Sequence, residues 1–360
     1  AKALNDISDD MWMDDLAELK NTSLSIWQRV ADQADQFNQP GEFTAFIGFE
    51  WTAQFNLHRV VIYKDGADLT RDRLPFASFS SDESNDPEAL WRYLEAYQTD
   101  TGGDVLAIPH NSNLTQGVMF ALEDAKGAKL SKDYAQTRAR WEPLLEVTQM
   151  KGDSETHPLL SPTDKFTDFE RINSMDISGW MKTLRETTGY QDYQSWYDER
   201  KKTAPNDNWM RPYEYARSAL KLGLQQQNQL GTNPFKFGMI GSTDTHTSLS
   251  TAEENNFWGK LPPSGPSPDR MQVSWDGEPI DSPMGKWWGP GWKQNAAGYA
   301  AVWAEENTRE SLFAAMKRKE VYATTGPRIN VRFFAGWDYQ KNDAFQPDLA
   351  RIGYEKGVPM

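Results

Sequence analysis

The segment Phe237-Gly-Met-Ile-Gly-Ser-Thr-Asp-Thr-His246 constrains the chain more than any other. Gly238 to Ile240 is a short apolar run of the kind that fills a buried strand, and Gly241 and Ser242 end it. Asp244 and His246 follow at i and i+2, a spacing that sends both side chains the same way on extended backbone. A carboxylate and an imidazole leaving a strand end together are what a β/α barrel presents at the carboxyl rim of its sheet. Taken alone, the spacing fits equally a turn in which Asp244 accepts backbone amides and His246 is incidental.

Other strand ends repeat the pattern. Phe43 to Glu50, His58 to Tyr63, Asp104 to His110 and Leu144 to Gln149 read as largely apolar strands. Helices are expected over Asp10–Leu19, Ser25–Phe37, Pro87–Gln98, Pro212–Leu230 and Thr308–Lys319. In the second of these, Ile26, Val30, Ala34 and Phe37 share one face. Asp86 is the N-cap of the Pro87 helix, and Gly231 closes the Pro212 helix. Residues 150–208 are a polar excursion with a short helix near Gln191–Lys201, and 261–297 is a Pro-, Gly- and Trp-rich surface loop. Apolar strands alternating with helices favour a parallel sheet covered by helices, open or closed into a barrel. Val321 to Ile329 adds a strand with a turn, and Val331 to Trp337 opens a β-rich region that the remaining residues do not complete.

Composition narrows the partners. A formal net charge of −14 disfavours nucleic acid and anionic membrane, while leaving room for an anionic small molecule held by local Arg and metal ions. No apolar run approaches the ~20 residues of a membrane span. The absence of Cys removes disulfides, thiolate metal sites and Cys nucleophiles.

Only four His occur, and three of them, His58, His110 and His246, sit at strand ends beside Glu50 and Asp244. His with carboxylate suits Zn, Mn or Fe, and a carboxylate can bridge two ions. Two ions about 3.5–4 Å apart activate water and clamp an anionic transition state. Each residue also has an ordinary reading. Glu50 can pair with Arg59, His58 can be solvated, and His110 can anchor a loop. Glu146 either orients a ligating His from behind or is structural. His157 lies in a polar loop as a substrate contact or surface residue. Arg211, Arg217 and Arg328 can grip an anion or make common salt bridges.

Several stretches carry a resemblance: Ile47-Gly-Phe-Glu-Trp-Thr52, Asn56-Leu-His-Arg-Val-Val61, Leu106-Ala-Ile-Pro-His-Asn-Ser-Asn113, Glu146 to Glu155, Gly241 to His246, Ala301 to Arg309 and Lys319 to Arg328. Together they resemble the bacterial family called domain of unknown function 3604. That family in turn looks like a branch of the polymerase-and-histidinol-phosphatase (PHP) metallohydrolases of the amidohydrolase-like barrels. The resemblance implies a distorted (β/α)7 barrel with long insertions, and two or three divalent ions (Zn, Mn or Fe). It implies Glu50 as bridging ligand, His58 and His110 as later ligands, and Asp244 and His246 as the closing pair. Glu50, Asp244 and His246 are the candidate catalytic groups. Arg59, Asn111, Lys151, Glu155, His157 and Arg328, polar groups in or beside these segments, are the candidate substrate contacts. The His-x-His strand and Asp-His pair that open PHP domains do not occur here, so the expectation is a barrel over 1–330 lacking its first strands, with 331–360 as the start of a β extension.

The expected activity is metal-dependent hydrolysis of a phosphomonoester or phosphodiester by a metal-bound hydroxide. Hydrolysis of a carboxyl ester, amide or carbamate is the alternative within enzymes, and a non-catalytic ligand- or glycan-binding module is the alternative outside them. The expected location is the periplasm or outside the cell, with the cytoplasm left open.

Overall fold

The computed structural model describes residues 9–53, 56–76, 85–150, 152–168, 202, 206–249, 254–256, 258–282, 285, 290–291 and 298–359. The expected helix at Gln191–Lys201 and the candidate residue Lys151 lie outside them. Helix α1 (Asp9–Phe37) is continuous where two helices were expected, because nothing between Leu19 and Ser25 is Gly or Pro. Its buried face is Trp27 and Ala31, one residue on from the expected stripe, and Ile26, Val30 and Phe37 are exposed. The Trp27 indole donates to the Thr70 carbonyl at 2.9 Å, which fixes that rotation.

Strands β1 (Ile47–Thr52), β2 (His58–Tyr63) and β3 (Val105–His110) form one sheet in that order. Both pairings are antiparallel, contrary to the parallel expectation. Five residues join β1 to β2, far short of the dozen or more a parallel crossover needs. Helix α2 (Pro87–Thr101), capped by the Asp86 carboxylate and by left-handed Gly102, leads into β3. Helix α3 (Lys132–Trp141) leads into β4 (Leu144–Gln149), which runs beside β3 and turns back through β5 (Gly152–Asp153). Helix α4 (Ala216–Leu230), ended by left-handed Gly231, leads into β6 (Gly238–Gly241), and β6 pairs with β4 in parallel. Strands β7 (Tyr299–Val302) and β8 (Val321–Thr324) flank α5 (Arg309–Arg318), pair antiparallel, and lie beside β6.

Side chains alternate between sheet faces. Ile47, Trp51, Val61, Tyr63, Val105 and Ala107 face α1 and α2 in the larger core. Leu106 and Ile108 face the other way, into a smaller core with Leu144, Ile240, Phe313 and Val321. Register puts Glu50 opposite Val60, and His58 opposite both Thr52 and His110. Glu50, His58 and His110 therefore share the second face and meet at one rim of the sheet.

β6 is wedged against its neighbours at Gly241, where an added Cβ would meet the Thr324 carbonyl at 2.8 Å and the Tyr299 carbonyl at 2.9 Å. Both are backbone atoms that cannot swing aside. Gly241→Ala is expected to cost about 1–3 kcal/mol, the usual range for overpacking, read as a lowered urea midpoint. An unchanged midpoint would show that β6 and the β7–β8 pair separate freely.

Residues 331–359 close on themselves. Strands β9 (Phe334–Ala335) and β10 (Val358–Pro359) pair antiparallel around helix α6 (Leu349–Lys356). The Trp303 indole holds the unit to the body through the Val331 carbonyl, and Tyr354 does so through Glu320.

Candidate metal centre

Glu50 lies at the middle of the rim. Its Oε1 accepts from His58 Nδ1 at 2.8 Å and from His110 Nε2 at 3.1 Å. Burial pushes the Glu50 carboxyl up, but the hydrogen bonds and charges of His110 and His58 outweigh it and hold the group far below the usual carboxylate range. The His58 and His110 rings meet edge to face at 5.4 Å between centroids. His110 is almost fully buried, and its Nδ1 has no hydrogen-bond partner.

Asp244 and His246 come to the same place from the end of β6. The β4–β6 register shifts between Glu146 and Thr148, a bulge beside the site. Asp244 holds a left-handed φ of 53°, a conformation open to Asp but uncommon outside Gly. His246 Nδ1 lies 3.0 Å from the Asp244 carbonyl, which can only accept. Nδ1 is therefore the donor in this contact. The spacing argument thus found the residues through the wrong local geometry: a left-handed turn, not extended backbone, aims them.

Glu50 belongs to two donor groups, with His58 and His110 and with Asp244 and His246; within each, the ligand atoms lie within 4.8 Å of one another. A cavity of about 450 Å³ opens between them, with Glu146 on its wall. Glu146 Oε1 accepts from the Gln149 amide at 2.7 Å, and its Oε2 accepts from the Ser242 hydroxyl. Burial pushes its carboxyl up, His110 opposes that, and the Asp244 charge adds to it. Nitrogen and carboxylate donors without thiolate are the set that Zn, Mn and Fe accept, so the residues fit the ions the sequence pointed to.

Asn111 stands next to this group with a left-handed φ of 59°, its carbonyl oxygen accepting from the same Gln149 amide at 2.7 Å. Among the described residues, the other candidate substrate contacts are placed elsewhere. Arg59 is on the opposite face, 1% exposed and 3.0 Å from Glu142, because a neighbour of His58 on a strand must point away from it. Glu155 is held by Arg217, which also grips Asp164 at 2.6 Å. His157 packs edge to face on Tyr215, and exposed Arg328 lies over the Tyr299 ring. Arg211 pairs with Glu214 at 3.3 Å.

Sequence reasoning missed Lys260 and Ser242. Lys260 is 4% exposed, and its ammonium ion-pairs with Asp244 Oδ2. Nothing in the run Gly259-Lys-Leu-Pro-Pro263 marks that lysine. Ser242 carried a signal, since it stands two residues before Asp244 in the organising segment.

The chain belongs to the family described as protein of unknown function (DUF3604), which it matches over residues 2–360. Nothing among curated proteins or solved structures matches it.

Proposed function

We propose that this chain is a metal-dependent hydrolase, a phosphoesterase of the PHP-like barrel class, with two or three divalent ions held at the Glu50 rim. The observation that carries this reading is that one carboxylate serves two donor groups, as a ligand bridging two ions must. The likeness of this family to PHP enzymes supports it and supplies the phosphoester as substrate class.

With Glu50 shared, His58 and His110 would hold one ion, and Asp244 and His246 the other. Bound ions would supply Lewis acidity toward an anionic substrate and its attacking water. The chain's own residues do the rest. Ser242 and Gln149 fix the Glu146 carboxyl on the cavity wall, and Lys260 holds one oxygen of Asp244. Val60 and the small core beneath close the floor of the cavity to water.

Stripping the purified chain with a chelator is expected to abolish turnover and lower the thermal midpoint. Restoring metal to about 100 times Kd should add about 2.7 kcal/mol of stability. The decisive measurement is metal content by mass spectrometry, paired with phosphate release from a panel of mono- and diesters. A chain that takes up no Mn²⁺ or Zn²⁺ sinks the reading and leaves a binding module. Metal with turnover of carboxyl esters or carbamates, but not phosphoesters, would keep the centre and change the substrate.

A further inference from the structure

The two halves of this pocket are not electrostatically alike. Among the described residues Glu50 meets two imidazoles and no Lys or Arg, since Arg59 points to the opposite face. Asp244, in the other half, already has a cation. Lys260 takes its Oδ2, and the Lys260 carbonyl accepts the His246 backbone N–H at 2.8 Å. One residue thus grips the Asp244–His246 segment at both its side chain and its main chain.

Lys260 is also held in place. An added Cβ on Gly259 would lie 2.3 Å from the Ser264 backbone, so the chain on one side runs hard against the turn beyond. On the other side Leu261 is bonded to Ser264 by both its N–H and its carbonyl, around Pro262 and Pro263. Ser264 is fully buried. The ammonium, with a side chain 5% exposed, has little room to leave when a second cation arrives.

We propose that Lys260 makes the centre asymmetric: one divalent ion binds tightly with Glu50, His58 and His110, and a second binds weakly and exchangeably with Asp244, His246 and the shared Glu50. This rests on the metal-centre reading above. The ammonium repels an incoming cation and occupies one of the two oxygens that Asp244 can offer it.

The test is titration of the full chain with Mn²⁺ alone, by equilibrium dialysis and calorimetry. Wild type should show two affinity classes. Lys260→Gln and Lys260→Met should tighten the weaker class by about tenfold, a small part of what a unit charge exerts at this range. The tighter class should stay within about twofold, as expected for a site sharing no contact with the lysine. Lys260→Arg, which keeps the charge, should keep the gap. The metal-free midpoint of Lys260→Met should fall, because Asp244 loses its partner, and should return when Mn²⁺ is added.

An unchanged or weakened second class in Lys260→Gln would overturn the proposal. So would a midpoint lowered equally with and without Mn²⁺, which marks a purely structural ion pair. No Mn²⁺ binding by wild type would instead overturn the metal-centre reading itself, and the two failures are read from different samples.

Discussion

Replacing Glu50 by alanine is expected to empty both halves of the pocket at once. The Glu50 carboxylate is the one ligand common to the two donor groups, so each would be left with two donors. Three protein ligands are the usual minimum for a catalytic site of the Zn type. Turnover should fall by at least roughly 10²–10³-fold, the scale set by losing one preorganised charge at a reacting centre. Asp244→Ala should differ in kind, losing the second ion and keeping the first. Two side effects must be separated from metal loss. His58 and His110 would lose their shared acceptor, which costs roughly 1–3 kcal/mol at the buried His110. Glu50→Gln keeps the shape and an acceptor oxygen but not the charge, so its metal-free midpoint should stay nearer wild type while its metal content falls. Metal counted by mass spectrometry on both variants checks this. Two ions retained by Glu50→Ala would show that the groups are independent and that no carboxylate bridges them.

The cluster was legible because strand ends are. An apolar run that stops at a carboxylate or imidazole announces a side chain at the rim of a sheet, and His110 ends its strand as that reading has it; Glu50 lies two residues inside β1, His58 heads β2, and Asp244 and His246 follow the end of β6. Strand direction was legible too, and was misread. The five residues between Thr52 and His58 permit only a hairpin, which brings His58 to the rim from the head of an antiparallel strand. Arg59 shows the cost of ignoring alternation: a residue next to a rim ligand faces the opposite core. Its partner Glu142 is 83 positions away, and no local pattern links them. Lys260 was hidden for a different reason. A buried lysine is rare, and only the three-dimensional approach of its loop to Asp244 explains this one. Closure of the strands into a barrel stays part of the proposal: the described strands form hydrogen-bonded sheets of three, three, two and two.

Among the described residues, loss of the Glu142 charge is expected to have the largest effect on stability. Glu142 is 4% exposed and bound by Arg59 Nε at 3.0 Å and the Trp91 indole at 3.0 Å. Arg138 Nε stands 3.1 Å away, close enough for an ion pair but off the line of a hydrogen bond. Arg59 lies over the Trp51 ring, and Arg138 over Phe235 and Phe120, and both side chains are almost fully buried. Glu142→Gln would leave both cations buried against a neutral amide, at roughly 3–5 kcal/mol, a large share of the ~5–15 kcal/mol that holds a domain together. The pH dependence has a definite sign. Burial pushes the Glu142 carboxyl up, but Arg59 and Arg138 outweigh it and hold the group below its ordinary value of 4.5. A carboxylate depressed in the folded state stabilises fully above its unfolded pKa and loses that contribution as pH falls. The gap between wild type and Glu142→Gln should therefore be widest at neutral pH and narrow below about pH 4.5, as acid removes from wild type what the mutation removes outright. Urea midpoints of both proteins from pH 7 to pH 3, measured without metal so that the Glu50 rim does not contribute ligand binding, carry the comparison. A gap that stays constant across that range would mean that Glu142 acts through shape and hydrogen bonding rather than through its charge.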